Sequence, residues 1–201
     1  MRLFGLFAVV VAGTSCGSAL RESRAPVLLV VDSLQGAPAG GRGANTFAPT
    51  LLSDVVFMRT TPAPCSDTSP CPTYFSDLGQ MTVTMQAKNL NISPTANNQV
   101  TLTRYHVDFT RADGRNTPGV DVPYGFDGIL TTTIPAGGSA AIGFELVRQT
   151  AKLEAPLVSL ASSVNVIYAI ARVTVYGHDA VGNDISVTGS MSVDFGNFAD
   201  Q

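Results

Sequence analysis

Tryptophan is absent from this 201-residue chain, there are two histidines and three cysteines, and only 13% of its residues are charged, 12 basic against 15 acidic. Each scarcity narrows what the protein can do. Nucleic-acid recognition leans on clustered Lys and Arg that neutralise phosphates, and a net charge of −3 with no basic run argues against it. Proton transfer near neutral pH draws mostly on histidine, and His106 and His178 are the whole supply. Neither a Gly-x-Ser-x-Gly elbow nor a His-Glu-x-x-His helix is present, so a hydrolase would have to assemble its site from scattered residues. The expectation is a non-enzyme without a cofactor. Sustained helical periodicity is missing too, which argues against a helical layer.

What the chain has instead is period two. Ile185, Val187, Gly189, Met191, Val193 and Phe195 share one parity, and Asp184, Ser186, Thr188, Ser190, Ser192 and Asp194 share the other. Successive side chains of a strand face opposite ways, so one face enters a core and the other meets water. The unbroken apolar run Val27–Val31 predicts a first strand buried on both faces or lying against a neighbour, and further strands are predicted at Leu51–Arg59, Met81–Lys88, Val100–Phe109, Gly128–Ile134, Ser139–Val147 and Val164–Tyr176. In Val100–Phe109 the apolar phase slips, and a bulge near Thr103-Arg104 would produce that slip. A second slip, from Val164, Val166, Tyr168 and Ile170 to Val173 and Val175, suggests another bulge. Pro135-Ala136-Gly137-Gly138 reads as a hairpin turn between two strands, and Gln35–Ala44 as a mobile surface loop rich in Gly, Ala and Pro. A helical turn within Ala151–Ser162 would cross one end of the sheets. About eight closely spaced strands predict an all-β, antiparallel two-sheet sandwich.

The first 19 residues have the layout of a secretory signal. Arg2 precedes an apolar run, Leu3–Ala12, too short to span a bilayer of roughly 30 Å as a helix. Small residues then lead to Cys16 and resemble a bacterial lipobox, which implies lipidation of Cys16 and a tether to the membrane. Gly13 stands where lipoboxes carry Leu, and a signal-peptidase cut after Gly17-Ser18-Ala19 would instead release a chain starting at Leu20. Residues 20–50 then hold an N-terminal strand and the Gly-rich loop, and 51–201 the sandwich. Cys65 and Cys71 are left to form a disulfide in an oxidising compartment, their spacing being wrong for a Cys-x-x-Cys zinc or redox site.

The segment Val173-Thr174-Val175-Tyr176-Gly177-His178-Asp179-Ala180-Val181-Gly182-Asn183-Asp184-Ile185-Ser186 resembles the last hairpin of bacterial immunoglobulin-like and fibronectin type III-like domains. In the turn, Asp179 can bond its own backbone while Gly182-Asn183 tolerate positive φ. The resemblance covers the last 35 or so residues well. It implies an immunoglobulin-like sandwich with Tyr168 as a core tyrosine, and it spans adhesion modules, enzyme appendages and assembly subunits.

The most polar grouping is Arg104, His106, Asp108, Arg111, Asp113, Arg115, Asn116, Asp121 and Asp127. Arg104, His106, Asp108, Arg111 and Arg115, with the loop Pro118–Gly125, would form a rim for an anionic ligand or a protein partner at the cell envelope. The plainer expectation is that these charges pair across strands and protect a sheet edge. Calcium is a further option at Asp113, Asn116 and Asp121, or at Asp179, Asn183 and Asp184. Neither set has the donor spacing of an EF-hand, and turn chemistry accounts for the same residues.

Overall fold

The computed structural model of the protein describes residues 24–40 and 43–198; the leader, Cys16, Gly41 and Arg42 lie outside the described residues. The described chain is predominantly β. Its strands are β1 (Val27–Ala37), β2 (Thr50–Asp54), β3 (Phe57–Arg59), β4 (Cys71–Thr73), β5 (Asp77–Ala87), β6 (Val100–Thr110), β7 (Phe126–Ile134), β8 (Ser139–Val147), β9 (Ile167–Asp179) and β10 (Asp184–Gly196). A three-stranded sheet runs β1-β5-β8, a five-stranded sheet runs β2-β10-β9-β6-β7, and β3-β4 form a small ribbon.

One hydrophobic cluster joins the two larger sheets, an arrangement consistent with a β-sandwich. Val27, Leu29, Met81, Val83, Ile142 and Leu146 enter it from one sheet, and Leu51, Leu102, Val107, Val173, Val193 and Phe195 from the other. Alternation explains the choice: in β10 the parity Ile185, Met191, Val193, Phe195 is buried, while Thr188, Ser190 and Ser192 are exposed. Aromatic rings bridge the layers. Tyr105 of β6 packs at 5.3 Å on Phe144 of β8 and edge-on, at 6.1 Å, to Phe126 of β7. Near the end of β1, a Cβ on Gly36 would come within 3.0 Å of the Leu51 Cβ and 3.1 Å of Leu146, so those side chains already fill the space.

Several sequence expectations need correction. The pairing is not wholly antiparallel: β2 lies parallel to β10, with Leu51 opposite Val193. The expected strand Leu51–Arg59 breaks into β2 and β3 at the buried Val55 and Val56. Gln35–Ala37 is not loop but the end of β1, paired with Gln80, Gly79 and Leu78. Pro135–Gly138 is not a hairpin turn, because β7 and β8 belong to different sheets; the turn, closed by Gly138 N–H donating to Pro135 O, carries the chain across the core.

β9 contains no bulge against β10: the register from Ile167–Phe195 to His178–Asp184 is continuous. Ala169 and Ala171 hold the inward phase together with Val173 and Val175, so Tyr168 points outward, 68% exposed, and is not a core tyrosine. The bulge predicted in β6 is present, with the register shifting between Leu102 and Arg104 against both neighbours. The helical turn appears as α1 (Gln149–Lys152) followed by a 3₁₀ turn at Leu157–Ser162, whose Leu157 and Leu160 are buried.

Cys65 and Cys71 are bonded, with their Cα atoms 5.4 Å apart. Beside the bridge, Phe57 of β3 meets Phe75 at a ring distance of 6.1 Å. On the chain-entropy account a loop this short contributes about 2 kcal/mol. Reduction should therefore lower the urea midpoint modestly and leave the far-ultraviolet dichroism unchanged; collapse of the β signal on adding reductant would contradict the assignment.

Candidate functional site

The outward face of the five-stranded sheet carries most of the residues singled out in the sequence, and the β6 bulge arranges them. Past the bulge the inward parity of β6 passes from Val100 and Leu102 to Tyr105, Val107 and Phe109. Thr103 and Arg104 are then both turned to solvent, as expected where two residues oppose one. Cross-strand partners share a face, so register builds rows along it. Ile129, Arg104, Tyr176 and Ser186 form one row, and Asp127, His106, Thr174 and Thr188 the next.

Three groupings emerge where the sequence suggested one rim. The Arg104 guanidinium sits 4.4 Å over the Tyr176 ring, a cation–π contact. His106 is held between two carboxylates, with Nε2 3.0 Å from Asp108 Oδ1 and Nδ1 3.2 Å from Asp127 Oδ1. Beyond the strand, Arg111 and Arg115 both bond Asp113. The Arg111 guanidinium, aided by the Arg115 backbone and side chain, holds the Asp113 carboxyl down at about 2. His106 reaches across to Asp127 of β7, whereas Arg111 and Arg115 pair with Asp113 within one loop and not across strands.

Of the side chains weighed as calcium ligands, Asn116, Asp121 and Asp179 are engaged in turn chemistry. Asn116 Oδ1 accepts from Arg111 N, Asp121 Oδ2 from Thr117 N, and Asp179 Oδ1 from Val181 N and Asn183 N. Gly182 has φ +86°, as expected for that turn, whereas Asn183 has no positive φ. Among the described residues no three His, Cys, Asp or Glu side chains gather as a metal site would require.

Beside the bulge lies an open groove of about 490 Å³, with Thr103, Arg104, Tyr176, His178, Asp184 and Ser186 on its walls. Its size falls within the range of small-ligand sites. At its floor Gly177 lets β9 approach β6 closely, because any side chain there would run into the backbone at Thr101 and Leu102. Of the rim residues foreseen, Arg104 alone lines this groove. Tyr176, Asp184 and Ser186 belong to it because the β9–β10 hairpin sets them opposite the bulge, a placement that needs the β6–β9 register.

A second polar constellation, unforeseen in the sequence, is buried. Lys152 Nζ lies 2.9 Å from Asp77 Oδ2 and donates to Asp54 O at 2.7 Å, while Ser53 Oγ donates to the same Asp77 oxygen at 2.6 Å. Lys152 and Asp77 are each 1% exposed. Burial pushes the Asp77 carboxyl up from its ordinary value, opposed by the Lys152 ammonium and the Ser53 hydroxyl. The group ties α1, β2 and β5 together and faces almost no open space, so it serves structure.

Comparison with family models and with curated proteins finds no match. Among solved structures, the chain is similar to that titled "X-ray structure of Northeast Structural Genomics Consortium target SoR45", at TM-score 0.36 and 10% identity over 84% of this chain and 86% of that one, a likeness too loose to carry fold or function across.

Proposed function

We propose that the protein is a non-catalytic binding or scaffolding module of the cell envelope, exported, anchored through a lipid on Cys16, and built on a divergent immunoglobulin-like or fibronectin type III-like sandwich. One observation carries the binding reading: on the sheet face where His106 and Arg115 are already engaged by Asp108 and Asp113, a groove beside the β6 bulge gathers Arg104, Tyr176, His178, Asp184 and Ser186. Export is supported by the leader sequence and by the Cys65–Cys71 bridge, a bond that persists in oxidising compartments. A non-catalytic role is supported by His106, whose ring nitrogens lie 3.0 and 3.2 Å from Asp108 and Asp127, so that the ring links β6 to β7. The immunoglobulin-like assignment is supported by the β9–β10 hairpin and its Asp179 turn.

Expression of the full chain in a lipoprotein-exporting bacterium tests the reading. The mature N-terminus is expected to be a diacylglyceryl Cys16, seen by mass spectrometry in the membrane fraction, with processing blocked by globomycin. A mature chain beginning at an unmodified Leu20 would remove the anchor, and an unprocessed Met1 chain in the cytoplasm would remove export.

A further inference from the structure

We propose that one end of the sandwich, formed by the loops 88–99, 135–138 and 180–183, rests on the lipid surface; the proposal deepens the anchored reading above and rests on the lipid at Cys16. Register fixes which loops share that end. Val27 at the start of β1 pairs with Ala87 at the close of β5, and Val100 at the start of β6 faces Ile134 on one side and Asp179 on the other. The links from β5 to β6, β7 to β8 and β9 to β10 therefore lie together, and the chain enters β1 among them, with Lys88 N–H donating to Pro26 O at 2.9 Å. Cys16 precedes Arg24 by eight residues, a tether of at most about 30 Å even when fully drawn out. Strand β6, with 11 residues, spans roughly 37 Å between the two ends. The anchor thus holds the near end at the bilayer.

Chemistry separates the two ends as well. Loops 88–99, 135–138 and 180–183 contain one charged residue, Lys88, and no carboxylate. Large apolar side chains stand in water there instead: Leu90 is 91% exposed, Ile92 62% and Val181 68%. Of the carboxylates flanking the last turn, Asp179 is buried and bonded to Val181 N and Asn183 N, and Asp184 is half-buried. At the far end Val120, Tyr124 and Val164 are exposed too, but loops 111–125 and 148–166 intersperse them with Arg111, Asp113, Arg115, Asp121 and Glu154. Loop 88–99 is also built to display its apolar pair. Ile92 N–H donates to Asn89 O at 3.1 Å and Asn91 N–H to Asn89 Oδ1 at 3.0 Å, while Ile92 lines a small cleft beside Pro26 and Val27. Apolar side chains held out in this way, with no carboxylate to oppose anionic headgroups, gain by entering the boundary between headgroups and acyl chains.

The test uses the full lipidated chain in phosphatidylethanolamine and phosphatidylglycerol vesicles carrying a lipid spin-labelled near its headgroup. A nitrobenzoxadiazole label is placed on Val181→Cys or on Val120→Cys; Cys65 and Cys71 are bonded to each other and Cys16 is alkylated, so each variant offers one thiol. Quenching is expected at 181 and not at 120. Leu90→Asp/Ile92→Asp should abolish the quenching at 181 with the thermal midpoint unchanged, and Leu90→Phe/Ile92→Phe should keep it, which separates loss of lipid contact from loss of fold. Equal quenching at the two positions, stronger quenching at 120, or quenching indifferent to the Asp pair would overturn the proposal. So would a label at 181 that responds to protein concentration and not to spin-labelled lipid, which would assign this end to a second copy of the chain. Vesicle flotation and the mass of the mature N-terminus read the anchor separately: a chain that floats without quenching at 181 loses this proposal alone, whereas an unmodified chain that does not float loses the anchor and the proposal with it.

Discussion

Asp77→Ala should destabilise the protein by about 3 to 5 kcal/mol, because it strands a buried ammonium. Lys152 Nζ has two partners, Asp77 Oδ2 at 2.9 Å and the Asp54 carbonyl at 2.7 Å, and only Asp77 offsets its charge. The Ser53 hydroxyl loses its acceptor as well. At this chain length each kcal/mol moves the thermal midpoint by roughly 2 to 4 °C, so a fall on the order of 10 °C is expected. The pair itself is not worth that much, since removing two charges from water costs nearly what their attraction returns. Accordingly the double variant Asp77→Leu/Lys152→Met should recover most of the loss. Urea melts of wild type, both single variants and the double variant close the cycle; an Asp77→Ala protein within about 1 kcal/mol of wild type would show that the ammonium finds water.

The pH dependence separates this site from the surface. A folded-state carboxyl raised above its unfolded value binds its proton more tightly in the native protein, so Asp77 contributes growing stability as pH falls through its raised value toward 3.8. Asp113 has the opposite sign. Held at about 2, it contributes stability above the unfolded value that is lost as pH falls toward 2. The Asp113 pair is solvent-exposed and screened, so its share of the pH dependence is small.

Strand β10 was legible because large apolar residues alternate there with Ser, Thr and Asp. β9 misled for a physical reason: its inward positions are Ala169 and Ala171, while Tyr168 and Ile170 lie outside, so side-chain size pointed to the wrong face. The β6 bulge could be read because both flanking phases carry large residues, Val100 and Leu102 before it, Tyr105, Val107 and Phe109 after. Pro135–Gly138 suits a hairpin and an inter-sheet crossing equally, and only the partner strands decide. The parallel β2–β10 pair joins segments far apart in sequence, which no local pattern reports. The site divides in the same way. His106 with Asp108 shows in the alternation of one strand, whereas Tyr176 against Arg104 and Ser53 with Asp77 and Lys152 are each single residues brought together by tertiary register.

Gly177 supplies the sharpest test of that register. A Cβ at this position would stand 2.2 Å from Thr101 O and 2.8 Å from Leu102 Cα, both backbone atoms of β6 immediately before the bulge. A flexible side chain could turn away, but β6 is pinned on its other side by β7, with Thr101 opposite Thr133 and Leu102 opposite Thr132. Gly177→Ala should therefore cost about 3 kcal/mol or more, the upper end for overpacking, because strands β6 and β9 must separate to admit one methyl group. Gly189→Ala is the control: its Cβ would meet side-chain atoms of Leu34, Met81 and Val31 at 3.3 to 3.4 Å, which can shift, and a loss of about 1 kcal/mol or less is expected. Equal urea midpoints for the two variants would contradict the β6–β9 register.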